Sequence, residues 1–250
     1  MPACFASSEE ETSEDEAVSV QTRTVCFAGA TLGPPRETGG ISELETLCDR
    51  LPGLIRDVPG GPDASFGFFQ WTTPISHVLD VLVKTLDTNR DGIVTNTDAP
   101  VNLLLVGYSW GGFNARDAAD AIDGDQRFSP LRKVVHRLIS LDAYKTDYAI
   151  FPRADLRVPK NVRFFESFRH SIAPADECSL LFYGLVGPFT GRVPYCTGTT
   201  VCKDYDFSKA AATAGVDHCD VPSASEDLVV SLALGTPLGA TPPAIPVKRY

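Results

Sequence analysis

No run of apolar residues in this chain approaches the roughly 20 that a helix needs to cross a bilayer. No basic-then-apolar signal segment stands at its start. The expectation is a protein that is soluble, or tethered by something other than a helix. A basic stripe is also missing, which removes the electrostatic footprint of a nucleic-acid binder. No Cys-x-x-Cys pair occurs, so a cysteine metal site is disfavoured. Internal repeats are absent. The 250 residues suit one large α/β domain, although length alone would also admit two small ones.

Positive charge is lacking at one end. Residues 1–20 carry Glu9, Glu10, Glu11, Glu14, Asp15 and Glu16 with no Lys or Arg. The chain has 32 acids against 22 bases, a net charge of −10. Without those six carboxylates the count is 26 against 22, or −4, an ordinary surface. The acidity belongs to a tail expected to be solvated and disordered. The chain as a whole, 43% hydrophobic and 9% aromatic, is rich enough for a full core.

Seven cysteines are present: Cys4, Cys26, Cys48, Cys178, Cys196, Cys202 and Cys219. Four crowd into residues 178–219, a loop-rich stretch that disulfides could staple. The alternative is a buried free thiol, and Cys26 inside an apolar strand fits that description. Met-Pro-Ala-Cys-Phe at the start resembles the end of a bacterial lipoprotein signal without its apolar part. On that resemblance Cys4 would be a lipid anchor, six cysteines would remain, and the protein would be exported.

Periodicity places the elements. Strands are predicted at Thr22–Ala28, Leu54–Val58, Val101–Val106, Val134–Leu141 and Val162–Glu166. Helices are predicted at Ser42–Leu51, with Ser42 as N-cap, at Pro74–Leu86, Gly111–Ile122 and Glu226–Leu234. Strands alternating with helices argue for one domain over 21–236, a mostly parallel sheet with helices on both faces. Residues 168–215 are expected to form a lid or pocket wall, and 237–250 a Pro-rich extended tail.

The most informative segment is Gly107-Tyr108-Ser109-Trp110-Gly111-Gly112. Gly-x-Ser-x-Gly sets a serine on a tight strand-to-helix turn with its Oγ exposed above the sheet. The Trp110 N–H then lies at a helix N-terminus, ready for a developing oxyanion. The pattern alone is weak. Its context, an apolar strand directly before and a helix directly after, gives it weight.

Gly-Tyr-Ser-Trp-Gly-Gly-Phe-Asn-Ala-Arg resembles the elbow of lipase-like and phospholipase-like members of the α/β-hydrolase superfamily, and the resemblance covers most of residues 22–235. It implies a single-domain hydrolase fold and a triad in the order Ser, acid, His. Three of the four histidines follow the serine, His136 within a strand. His218, just before the last helix, stands where the family places its catalytic base, and it is favoured over His170. His77 and His136 lie on the wrong elements. For the acid, Asp142 ends a strand at the sheet edge where the serine lies. Many family members carry the acid one strand later, which makes Glu166 the competitor. Asp217 and Asp220 read as turn or cap residues. The second oxyanion donor, by family position, is Ala30 or Thr31.

A second motif runs from Asp87 to Asp98. Oxygen donors at Asp87, Asn89 and Asp91, Gly92 at the bend, the Ile93 carbonyl and Asp98 at the twelfth position follow a calcium-loop pattern. It looks most like the dockerin-type variant, and a structural Ca²⁺ bracing the elbow from behind is expected, with no organic cofactor. The leading functional expectation is a serine esterase acting on a small-molecule or lipid ester. The alternatives are a non-catalytic calcium-dependent binding protein on the same scaffold, or an acyltransferase.

Overall fold

The computed structural model describes residues 20–29, 41–56, 68–143, 156–170, 191–196, 198–209, 215–216, 218–235 and 247–249. Its centre is a six-stranded sheet in the order β1-β2-β3-β5-β7-β8. The strands are β1 (Gln21–Phe27), β2 (Val101–Tyr108), β3 (Val135–Leu141), β5 (Val162–Arg169), β7 (Val201–Asp206) and β8 (Val247–Arg249). The first five run parallel, and β8 closes the edge antiparallel to β7. Two short strands, β4 (Leu156–Arg157) and β6 (Pro194–Tyr195), pair beside it.

Each parallel strand is buried on both faces, so its two sets of alternate side chains feed two cores. Val25, Phe27, Leu103 and Leu105 meet helices α2 (Ile75–Leu86) and α3 (Trp110–Gly124). Cys26, Leu104, Val106 and Ile139 meet α1 (Ile41–Asp49) and α4 (Val221–Leu234). The mostly parallel sheet with helices on both faces is therefore as expected. Cys26 is no free thiol: it is bonded to Cys48, tying β1 to α1. Cys196 and Cys202 form a second disulfide, and Cys219 is also disulfide-bonded.

Several boundaries differ. The first helix begins at Ile41, so Ser42 sits inside its first turn, its hydroxyl donating to Glu43 and not capping. Leu54 makes only an isolated bridge to Thr24; residues 57 and 58 lie outside the described ones. β5 runs on to Arg169, and α4 starts at Val221, with Pro222 in its first turn where a missing N–H costs nothing. Two corrections are larger. Residues 201–206, expected within a lid, are a strand of the main sheet, and 247–249, expected in an extended tail, pair with it as β8. The acidic segment 1–19 and residues 171–190 of the expected lid lie outside the described residues. Among the described residues no helix is long and apolar enough to cross a membrane.

Candidate active site

β2 ends at Tyr108 and α3 starts at Trp110, leaving Ser109 alone to make the turn. It does so at φ 53 and ψ −123, a positive φ that a non-glycine residue rarely adopts and that the surroundings must enforce. The enforcement is visible. Ser109 N–H donates to the Leu141 carbonyl at 2.9 Å. A side chain at Gly107 would collide with the Gly111–Gly112 backbone, and one at Gly111 with the Phe27 carbonyl. Gly29 closes the other side: a Cβ there would lie 2.7 Å from the Ser109 Cβ.

His218, from the short turn before α4, reaches the serine. Its Nε2 lies 2.9 Å from Ser109 Oγ and its Nδ1 2.6 Å from Asp142 Oδ2. All three residues are nearly enclosed, at 8%, 7% and 0% exposure. The His218 ring also stacks on Tyr108, 5.0 Å between centroids. Asp142 follows β3, on the neighbouring strand from Ser109, and has φ 48. Its N–H donates to the Phe168 carbonyl. Burial pushes the Asp142 carboxyl up, but contacts with His170 and His218 outweigh burial and hold it below the usual carboxylate value.

His170 enters this cluster too. Its main-chain N–H donates to Asp142 Oδ1 at 3.1 Å, and its Nδ1 comes within 2.7 Å of Oδ2, without the alignment of the His218 bond. Asp142, His170 and His218 form the group of acids and imidazoles, among the described residues, that is tight enough to suggest a metal. The distances argue otherwise. Two ligand atoms tetrahedrally placed on zinc would lie about 3.3 Å apart, whereas the nitrogens here approach the carboxylate oxygen to 2.6 and 2.7 Å. Those are hydrogen-bond and ion-pair distances, too short for two ligands of one zinc.

Glu166, the competing acid, faces elsewhere. It is ion-paired with Arg137 on β3 and does not contact His218. Burial raises its carboxyl to about 7, with Arg137 and Lys203 pulling the other way. His77 packs edge-on to Phe69 and His136 to Phe164. Trp110 opens α3 beside the serine, its ring 5.5 Å from Trp71, whose carbonyl accepts a bond from Asn114. Ala30, Thr31 and Asp217 fall outside the described residues. Asp220 occupies the N-cap position of α4 without a side-chain capping bond.

The loop from Asp87 to Asp98 is ordered by its own carboxylates. Asp87 accepts from the N–H groups of Arg90, Asp91 and Gly92, Asn89 from Asp91, and Asp91 from Ile93. Arg90 and Gly92 supply the positive φ values of the bend. Val94 is buried and bonded both ways, to the Arg127 carbonyl at 2.7 Å and the Ser129 N–H at 2.9 Å. Asp87, Asn89 and Asp91 thus have the donor chemistry a calcium ion needs. Asp98 is committed differently: its oxygens accept from Thr88, Asn89 and Thr95, and it is 2% exposed.

Sequence reasoning assigned Gly29 no role and His170 only that of the alternative base, not a place beside the acid. A glycine directly after a β1-type strand is a visible signal for the first; nothing local signals the second. In comparison with known proteins, the chain matches no protein-family model and no curated protein.

Proposed function

We propose that the protein is an α/β-hydrolase-type serine hydrolase acting on carboxylic esters, with Ser109 as nucleophile, His218 as base and Asp142 as the acid that orients it. One observation carries this reading: a single imidazole lies within hydrogen-bond distance of a serine at a strained strand–helix turn and of a buried carboxylate. A base in contact with the nucleophile, itself oriented by a third group, is the arrangement that activates a hydroxyl.

In the reaction His218 Nε2 takes the Ser109 proton as Oγ bonds to the ester carbonyl carbon. Negative charge moves to the carbonyl oxygen, where the Trp110 N–H at the start of α3 and the helix dipole stabilise it. Asp142 stabilises the imidazolium. The tetrahedral species then collapses, His218 returns the proton to the departing alcohol, and water repeats the sequence on the acyl-enzyme to release the acid and free Ser109. The half-buried rings of Trp71 and Trp110 offer an apolar wall beside the serine, suited to an acyl chain or another small ester.

A fluorophosphonate tests the assignment. The folded protein is expected to take one label on Ser109, and Ser109→Ala none; an unlabelled folded protein would leave a non-catalytic binding scaffold. Partition of a p-nitrophenyl ester's acyl group between water and an added alcohol separates hydrolase from acyltransferase.

We also propose that the Asp87–Asp98 loop takes a structural Ca²⁺ through Asp87, Asn89, Asp91 and the Ile93 carbonyl, with Asp98 exchanging amide partners for the ion. The ion would brace the connection from α2 to β2 and take no part in the chemistry. Calcium at millimolar concentration is expected to raise Tm and a chelator to reverse the rise, whereas Asp87→Ala should not respond. An unchanged Tm in the parent protein would show a loop that closes on its own hydrogen bonds. The two disulfides among the described residues fit an oxidising, extracytoplasmic setting, which we propose as the location.

A further inference from the structure

His170 is 1% exposed, as enclosed as the acid beside it, yet the reaction above gives it no task. It immediately follows β5, and it meets both oxygens of one carboxylate. Its N–H donates to Asp142 Oδ1 at 3.1 Å and its Nδ1 lies 2.7 Å from Oδ2. Oδ2 therefore faces two imidazole nitrogens, the second being His218 Nδ1 at 2.6 Å. A carboxylate oxygen has lone pairs for both.

The backbone that presents His170 is itself held. Arg169, one residue earlier, makes a two-pronged ion pair with Asp204 on β7, at 2.9 Å through both Nε and Nη2. Gly191 donates to the His170 carbonyl at 3.1 Å, and a side chain at Gly191 would strike Asp142. Asp142, by contrast, stands on a strained backbone, and without the His170 ring its Oδ2 would have only His218 as a neighbour of this kind, the His170 main-chain N–H holding Oδ1. Held by His170 as well, it cannot turn away from His218 without giving up two neighbours at once.

We propose that His170 is a positioning residue that holds the Asp142 carboxylate in line with His218, and through it the imidazole in line with Ser109. The proposal rests on the reading of those three residues as a triad. It acts by geometry: His218 keeps its Nδ1–H on the acid and its Nε2 lone pair on the serine only while Oδ2 stays in place.

Asn places an amide N–H where His has Nδ1, and Gln places one where His has Nε2, so the two variants separate position from polarity. The rate of fluorophosphonate labelling at Ser109 is expected to fall about tenfold or more in His170→Leu and His170→Gln, the scale on which hydrogen-bond partners behind metal-ligating histidines act. His170→Asn should stay close to the parent rate. Labelling of all three at the parent rate overturns the proposal, as does an Asn variant as slow as the Gln variant. A readout independent of turnover accompanies it: in Ser109→Ala protein, the low-field proton of His218 Nδ1–H should move on adding His170→Gln and hold on adding His170→Asn. An unmoved resonance in the Gln variant also overturns the proposal. If the parent protein takes no label, the triad reading fails by itself, and the proton resonance still decides whether His170 positions Asp142.

Discussion

At the scale of single residues, the site depends on what is missing as much as on what is present. Gly29 has no side chain where one would press on the Ser109 Cβ and the Tyr108 carbonyl. The serine's backbone is already strained and bonded to Leu141, so it cannot yield without moving Oγ. Gly29→Ala is therefore expected to slow fluorophosphonate labelling by up to about 100-fold, the cost of an ångström-scale misplacement. Tm should drop far less than in a core truncation, and labelling at the parent rate would show that β1 leaves the serine more room than the contacts indicate. Ser109 and Gly107 were legible because the turn is local. Asp142 was legible as a strand-end carboxylate, but its choice over Glu166 depended on family position. The structure separates the two acids by the partner each meets: His218 for one, Arg137 for the other.

At the scale of elements, strands that contain an apolar stretch were readable even with a charge among them, and β7, with charges at half its positions, was not. β2 reads Val-Asn-Leu-Leu-Leu-Val-Gly-Tyr, and burial on both faces follows directly. β7 reads Val-Cys-Lys-Asp-Tyr-Asp, which looks like a surface loop. Asp204 and Asp206 are in fact each 2% exposed, because Arg169 on the adjacent strand compensates them. Buried charges are tolerated when paired, and a partner 35 residues away gives no local signal. Cys26 is a similar case: an apolar neighbourhood suggested a free thiol, while its partner arrives with α1. That disulfide spans 22 residues and should restrict the unfolded chain by roughly 3 kcal/mol. Cys26→Ala with Cys48→Ala is expected to lower the denaturant midpoint accordingly, and a midpoint within error of the parent would show that packing between β1 and α1 suffices.

At the scale of the whole molecule, ionisation of one core group should make stability depend on pH. Glu166 is 1% exposed and its carboxyl is raised by burial to about 7. A group whose folded value lies above its ordinary value of 4.5 stabilises the fold below that value and loses the contribution as pH rises through the folded one. Between roughly pH 4.5 and 7 the native state must surrender a proton that the unfolded state has already released. Glu166→Gln has no proton to lose, so its Tm relative to the parent should climb across that window. A difference that stays flat with pH would mean that the pair with Arg137 keeps Glu166 ionised throughout.

From the sequence alone came everything that rests on neighbours along the chain: the alternation of apolar strands and amphipathic helices, the glycine turn that lifts Ser109, and the spacing of the Asp87–Asp98 loop. Side-chain period and steric demand act over a few residues, so a linear reading captures them. Only the tertiary structure decided which histidine meets the serine, which carboxylate meets that histidine, that Cys26 has a partner, that a charged hexapeptide is a sheet strand, and that a second imidazole stands at the acid. Each of these joins residues separated by 22 to 109 positions. Those around the serine exist because the parallel sheet brings the C-terminal ends of β2, β3 and β5 to one edge, a convergence that no stretch of sequence displays.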